Sequence, residues 1–174
     1  MDLKSPLYIG ELEDTPLGNL WLAASDLGLV SVDWSELLIE FEGYLARRFK
    51  RPVELSRGKL KDAALELREY LGGKRRAFSL RIDWSVMRPF QQEALKLTFA
   101  IPYGETRTYG EIARQIGRPR AARAVGRAEA TNPMPLVIPC HRVIGADGKL
   151  HGYGGGEGLK TKEWLLKMEG AVMI

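Results

Sequence analysis

The twelve residues Asn-Pro-Met-Pro-Leu-Val-Ile-Pro-Cys-His-Arg-Val at 132–143 constrain this chain more than any other stretch. Prolines 133, 135 and 139 each fix φ and push the residue before them toward extended conformations, which predicts a stiff, non-helical approach to Cys140. Cys140 is the only cysteine, and His141 is one of two histidines. A lone cysteine is most often a small buried hydrophobe. Set on a braced backbone ahead of His141 and Arg142, it reads instead as a nucleophile, because a neighbouring base or positive charge lowers a thiol from its ordinary value of about 8.5. Consecutive side chains of an extended segment point to opposite faces. His141 therefore reaches the sulfur only through a turn or a bridging water, and its ring needs an orienting partner, expected to be a carboxylate elsewhere.

The rest of the composition narrows the class. The 174 residues, 45% of them hydrophobic, suffice for one sizeable domain or two small ones. No apolar run approaches membrane-spanning length, and the chain does not open on a basic region followed by an apolar core, so no membrane association is expected. A single cysteine forms no internal disulfide, and a free thiol suits a reducing, cytoplasmic compartment. One cysteine and two histidines do not furnish a structural zinc site, and no cofactor is implied.

Residues 7–34 read as a small antiparallel sheet, short apolar runs broken by turn chemistry at 14–18 and 26–28. Helical spacing predicts helices over 36–48 and 60–71, and the alternation of Phe78, Leu80, Ile82 and Trp84 predicts one more strand. From Arg88 the texture turns helical. The expected class is therefore α+β, with a supporting αβ domain at 1–86 and a mostly helical domain at 87–174. In the second half Pro89 opens a helix over 90–100, and Thr108 with Glu111 forms a capping box before a helix over 109–116. A turn at 117–119 then leads to a helix over about 120–130, a helix-turn-helix layout. Asn132 closes that helix. The final helix, about 159–169, carries Trp164, Leu165 and Met168 as an expected core stripe and ends on Glu169, where a negative charge opposes the helix dipole.

The net charge of +4 is unevenly spread: arginines 107, 114, 118, 120, 123 and 127 stand against one acid, Glu111. A charge run is commonly a solvated face, but beside a helix-turn-helix it reads as phosphate contact. The second helix is built of Ala121, Ala122, Ala124, Gly126, Ala128 and Ala130, which suits a shallow lie in a narrow groove better than base reading in the major groove.

The run Ile138-Pro139-Cys140-His141-Arg142-Val143, with Asn132 before it and Tyr153-Gly154-Gly155 after it, resembles the active-site segment of the O6-alkylguanine-DNA alkyltransferases over about 88–170. The resemblance implies irreversible transfer of an alkyl group from O6-alkylguanine, and from O4-alkylthymine, in double-stranded DNA to Cys140, with one turnover per protein and a monomer bound in the minor groove. It also implies a relay of Glu169, His141, water and Cys140, with Asn132 tying the helix to the cysteine segment. By the same resemblance Tyr109 helps rotate the nucleotide out and Arg123 takes the place of the extruded base. Arg118, Arg120, Arg127 and Ala122 would contact DNA, and Tyr153, Gly154, Val143 and Met134 would form the substrate pocket. Extrusion follows from chemistry as well, since guanine O6 is paired inside the duplex and a buried nucleophile must take the base out. Three other readings remain beside this one. A regulator with the same helices would not need Cys-His, a cysteine hydrolase would not need the basic helix, and a non-catalytic alkyltransferase-like lesion binder would lack the acceptor cysteine that stands here.

Overall fold

The structure is a computed structural model that describes residues 5–171. The protein is α+β, and the chain divides after Val86 into two compact units.

In the first unit, β1 (Leu7–Thr15), β2 (Gly18–Ser25) and β3 (Gly28–Asp33) form an antiparallel meander. A fourth strand, β4 (Val53–Leu55), joins β1 in parallel, giving the order β3-β2-β1-β4. The sheet is thus mixed, where antiparallel pairing alone was expected; three residues after Pro52 are too short to show a period. The helix α1 (Leu38–Phe49) lays Phe41 and Leu45 on the face formed by Leu7, Ile9, Trp21, Ala23 and Val30. On the other face Gly10 and Leu22 pair in register, and a Cβ on Gly10 would lie 3.1 Å from Leu60, which precedes α2 (Lys61–Leu71). Residues 20–25 of β2 are buried without interruption, as a strand covered on both faces must be.

The expected strand at 78–84 does not form. Its alternation is answered by one parallel bridge, Leu29 to Ile82, with Leu29 N–H donating to Arg81 O and Asp83 N–H to Leu29 O. The ladder stops because the buried Asp83 carboxylate turns inward to accept from Ser25 Oγ at 2.6 Å, and a 3-10 turn follows at Trp84–Val86. Gly28 permits even this approach, since a Cβ there would sit 2.4 Å from Arg81 O.

The second unit opens with α3 (Pro89–Phe99), Pro89 standing in its first turn where no N–H is missed. Next, α4 (Tyr109–Gln115) has the expected capping box: Glu111 N–H donates to Thr108 Oγ1 at 3.1 Å, and Thr108 N–H to the Glu111 carboxylate at 2.6 Å. The second helix of the pair, α5 (Ala122–Ala130), starts later than the pattern suggested because residues 117–121 form the turn. Ile112, Ala113 and Val125 lock the two helices together with Ile101 and Val143. A short parallel ladder joins β5 (Arg107–Thr108) to β6 (Val143–Ile144), so the cap of α4 is fastened to the residues that follow the cysteine segment.

The last helix, α6 (Leu159–Met168), buries Thr161, Lys162, Leu165 and Leu166. Trp164 was expected in the core and is 37% exposed. The inward turn of Lys162, whose ammonium finds carbonyl acceptors below the helix, sets the helical phase and leaves Trp164 on the outer side.

The Thr108 side chain caps the entrance to α4. Thr108→Ala is expected to cost about 1 kcal/mol of stability, read as a lowered urea midpoint with an unchanged slope.

Candidate active site

The cysteine segment is braced, but not extended throughout. Asn132 Nδ2 donates to Ile138 O at 2.9 Å, and Met134 N–H donates back to Asn132 Oδ1 at 3.0 Å, clamping the proline-rich loop from inside. The helix itself is capped at Thr131, so the work of Asn132 is this clamp rather than helix termination. Leu136 takes a left-handed φ of 74°, and Cys140–Arg142 form one 3-10 turn. The turn supplies the change of direction that an extended chain lacks.

Behind the turn lies a buried charge cluster. His141 Nε2 is 2.9 Å from Glu169 Oε1, and Arg142 grips the same carboxylate with Nε at 2.9 Å and Nη2 at 2.8 Å. Gly104 N–H donates to Glu169 Oε2 at 3.2 Å, and Arg142 Nη1 donates to Ile101 O. His141, Arg142 and Glu169 are all buried. A carboxylate at the end of α6 opposes the helix dipole; here four donors offset that cost and the cost of burial. Burial alone would push Glu169 up, but the hydrogen bonds and charges of His141 and Arg142 outweigh it and hold the carboxyl well below the usual carboxylate range. For His141 burial wins and draws the imidazole below its ordinary value, against the opposing bond to Glu169.

The sulfur behaves differently from the sequence expectation. Burial, and after it the charge of Glu129, push the Cys140 thiol up to about 12, opposed by a hydrogen bond with Asn132 and by the charge of Lys162. His141 and Arg142 do not depress it: Glu169 takes His141 Nε2 and two of the Arg142 nitrogens, and the third Arg142 nitrogen goes to Ile101 O. The resting cysteine is a protonated thiol.

Cys140 opens onto a cavity of about 690 Å³ lined also by Tyr109, Ala122, Arg123, Tyr153 and Gly154. Met134 and Val143, expected in the pocket, do not line it: Met134 is fully buried and Val143 packs with Ile101, Ile112 and Val125. Arg118, Arg120 and Arg127 lie outside the cavity on the exposed surface, Arg118 over the Phe90 ring and 3.8 Å from Glu93. Tyr109 Oη donates to His151 O at 3.2 Å, and the buried Lys162 Nζ donates to His151 O at 3.0 Å and Val143 O at 2.7 Å. Burial raises Tyr109 to about 12, so it stays a phenol and a donor.

Three participants were not singled out from the sequence. Glu129 shares a helical face with Ala122 and Gly126, a spacing that was open to view. His151 and Lys162 carried no such signal.

The pattern of the 6-O-methylguanine DNA methyltransferase DNA binding domain matches residues 89–171, and that of the ribonuclease-like domain of the same proteins matches residues 7–84. The chain belongs to the 6-O-methylguanine DNA methyltransferase family. A methylated-DNA–protein-cysteine methyltransferase of Methanosarcina barkeri is 42% identical over 161 residues, covering 91% of this chain and 95% of that one. One from Shigella flexneri is 39% identical, covering 92% of this chain and 94% of its own. In structure, the family likeness is carried by Mycobacterium tuberculosis OGT in complex with DNA, with TM-score 0.76, 39% identity, and coverage of 94% of this chain and 92% of that chain.

Within this family member, Glu169→Gln leaves Arg142 buried without its counter-charge and is expected to cost roughly 3–5 kcal/mol. The Glu169 carboxyl is depressed in the fold, so its stabilisation is fully present above the unfolded value of about 4.3 and is lost as pH falls through the folded one. Denaturant melts below pH 4 should weaken steadily for the wild type, and the variant should lack that component.

Proposed function

We propose that this protein repairs DNA by moving the alkyl group of O6-alkylguanine, and of O4-alkylthymine, onto Cys140 in a single irreversible turnover. The observation that carries this is the placement of the one thiol in a cavity whose wall includes Ala122, Arg123 and Gly126 of the second helix of the helix-turn-helix. A relative of this fold crystallised with DNA supports DNA as the partner. Arg118, Arg120 and Arg127 stand free of the cavity to meet phosphates, and the small residues of α5 let the backbone approach the minor groove closely. The target base rotates out into the cavity and Arg123, exposed at its rim, fills the gap in the stack.

In the chemical step the sulfur attacks the alkyl carbon as the carbon–oxygen bond breaks. An S–C bond forms and the electron pair of the broken carbon–oxygen bond leaves on the displaced base. His141, neutral at rest, first takes the thiol proton through a water, Glu169 with its Arg142 pair stabilises the imidazolium that forms, and the imidazolium returns the proton through solvent to the base as it leaves. Tyr109 exchanges His151 O for the purine N3 as charge develops there. Asn132 keeps α5 and the cysteine loop in register. The product is a thioether with no carbonyl for water to attack, so the protein acts once, as a monomer.

Incubation with DNA carrying labelled O6-methylguanine should move one label per protein to Cys140, seen by mass spectrometry as about one added methylene. Cys140→Ser should accept none. Repair of several lesions by each protein would overturn the proposal.

A further inference from the structure

The cavity wall holds an acid that the transfer chemistry does not use. Glu129 is 6% exposed and stands on the face of α5 that brings Ala122, Gly126 and Ala130 to the cavity. The Thr98 hydroxyl of α3 lies 2.6 Å from Glu129 Oε1 and 3.2 Å from Ala94 O, one turn back in its own helix. A hydroxyl has one proton, and a backbone carbonyl such as Ala94 O only accepts. Both contacts are satisfied together when Thr98 donates to Ala94 O and accepts from a protonated Glu129. Burial favours that neutral form, raising the carboxyl to about 8. Glu129 Oε2 is then a carbonyl oxygen, shielded from solvent and bonded by no group among the described residues. An acceptor buried without a donor carries a cost that a ligand bringing one relieves.

An everted guanine brings such a donor. Alkylation at O6 removes the N1 proton, so the exocyclic N2 amine is the only N–H donor left on the base, and O4-alkylthymine has none. The amine adjoins N3, the atom assigned to Tyr109. The Tyr109 ring lies 3.8 Å from where a Cβ on Gly126 would stand, and Gly126 precedes Glu129 by one helical turn. A purine with its alkyl group at Cys140 and its N3 at Tyr109 therefore brings the amine to this stretch of the wall. The terminal torsion of a glutamic acid is broad, so the carboxyl turns to meet it without moving the helix. We propose that Glu129 Oε2 accepts a hydrogen bond from the N2 amine of the everted guanine, and that Glu129 thereby sets a preference for O6-alkylguanine over O4-alkylthymine. This rests on the reading of the cavity as the seat of an everted base, and it names the residue that tells the two lesions apart.

The test uses duplexes carrying O6-methylguanine, O6-methylhypoxanthine, which lacks only the N2 amine, or O4-methylthymine. Methyl-transfer rates of the full chain and dissociation constants of its Cys140→Ser form are measured on each, with and without a change at residue 129. Differences among the duplexes are common to every form of the protein, so the ratio between lesions, compared from form to form, isolates the contact. Glu129→Met removes the acceptor at similar size and should lower the preference for O6-methylguanine over O6-methylhypoxanthine about tenfold, the effect of one hydrogen bond. The preference over O4-methylthymine should narrow equally, because neither of the other two lesions has the amine. Glu129→Asp, which withdraws the carboxyl by one methylene, should move both ratios in the same direction. Glu129→Gln donates its amide to Thr98 and keeps a carbonyl for the amine, so it should retain the wild-type ratios. Ratios left unchanged by Glu129→Met and Glu129→Asp would overturn the inference, as would a Glu129→Gln that follows Glu129→Met. Binding ratios that depend on residue 129, with no methyl transfer by any form that keeps Cys140, would support the inference and reject the alkyl-transfer reading alone.

Discussion

Everything at the reactive end of this protein depends on one buried carboxylate. Glu169 receives His141, both prongs of Arg142 and the Gly104 amide, and so draws together the end of α6, the turn that carries Cys140 and the loop after α3. A paired buried charge adds little net stability over a well-packed apolar group, but removing one partner strands the other. The benefit is definition: with both His141 and Arg142 committed to one acceptor, the 3-10 turn at Cys140–Arg142 has one arrangement, and the sulfur that begins it faces the cavity. Gly104 takes a φ of 79° and leaves 3.0 Å between its missing Cβ and Glu169 O, so the loop can come close enough to donate.

A second set of ties couples that turn to the helix pair. The parallel pairing of Arg107 with Val143 and Thr108 with Ile144 fixes the capped start of α4, and with it Tyr109, to the strand leaving the cysteine turn. On the other side Asn132 clamps the residues between α5 and Cys140. The packing of Ile112 and Val125 against Val143 fills the space between. Displacement of α5 would therefore be felt at the cavity wall. This is why Val143, whose side chain was assigned to the pocket from resemblance, serves the site from the core instead.

Features that depend on neighbours in sequence were legible before the structure. The Thr108–Glu111 capping box, Pro89 at a helix start and the turn between α4 and α5 are all local chemistry, and they occur as expected. Cys140, Tyr109, Ala122 and Arg123 meet at one cavity, and Glu169 meets His141, because the motif spacing is characteristic of the family. What failed was decided by distant partners. Phe78, Leu80 and Ile82 alternate like a strand, yet Asp83 finds Ser25 and ends the pairing after one bridge. Trp164 has an apolar side chain, yet Lys162 finds two carbonyls and claims the inner face of α6. A buried lysine is invisible to periodicity, since its burial is set by acceptors far along the chain.

The same blindness affected the thiol. Sequence places two basic side chains beside Cys140, but proximity along the chain is not proximity of charge, and Glu169 absorbs both. The sulfur is left to burial, which favours the neutral form. For a protein that is consumed by its own reaction, a neutral resting thiol has a physical advantage. Thiolates are the species that oxidants and stray electrophiles attack, so a sulfur ionised at rest would be lost to encounters unrelated to its substrate. Removing the proton from a neutral buried sulfur costs energy, and the contacts of a bound substrate are the source from which such a cost is met on the way to a transition state.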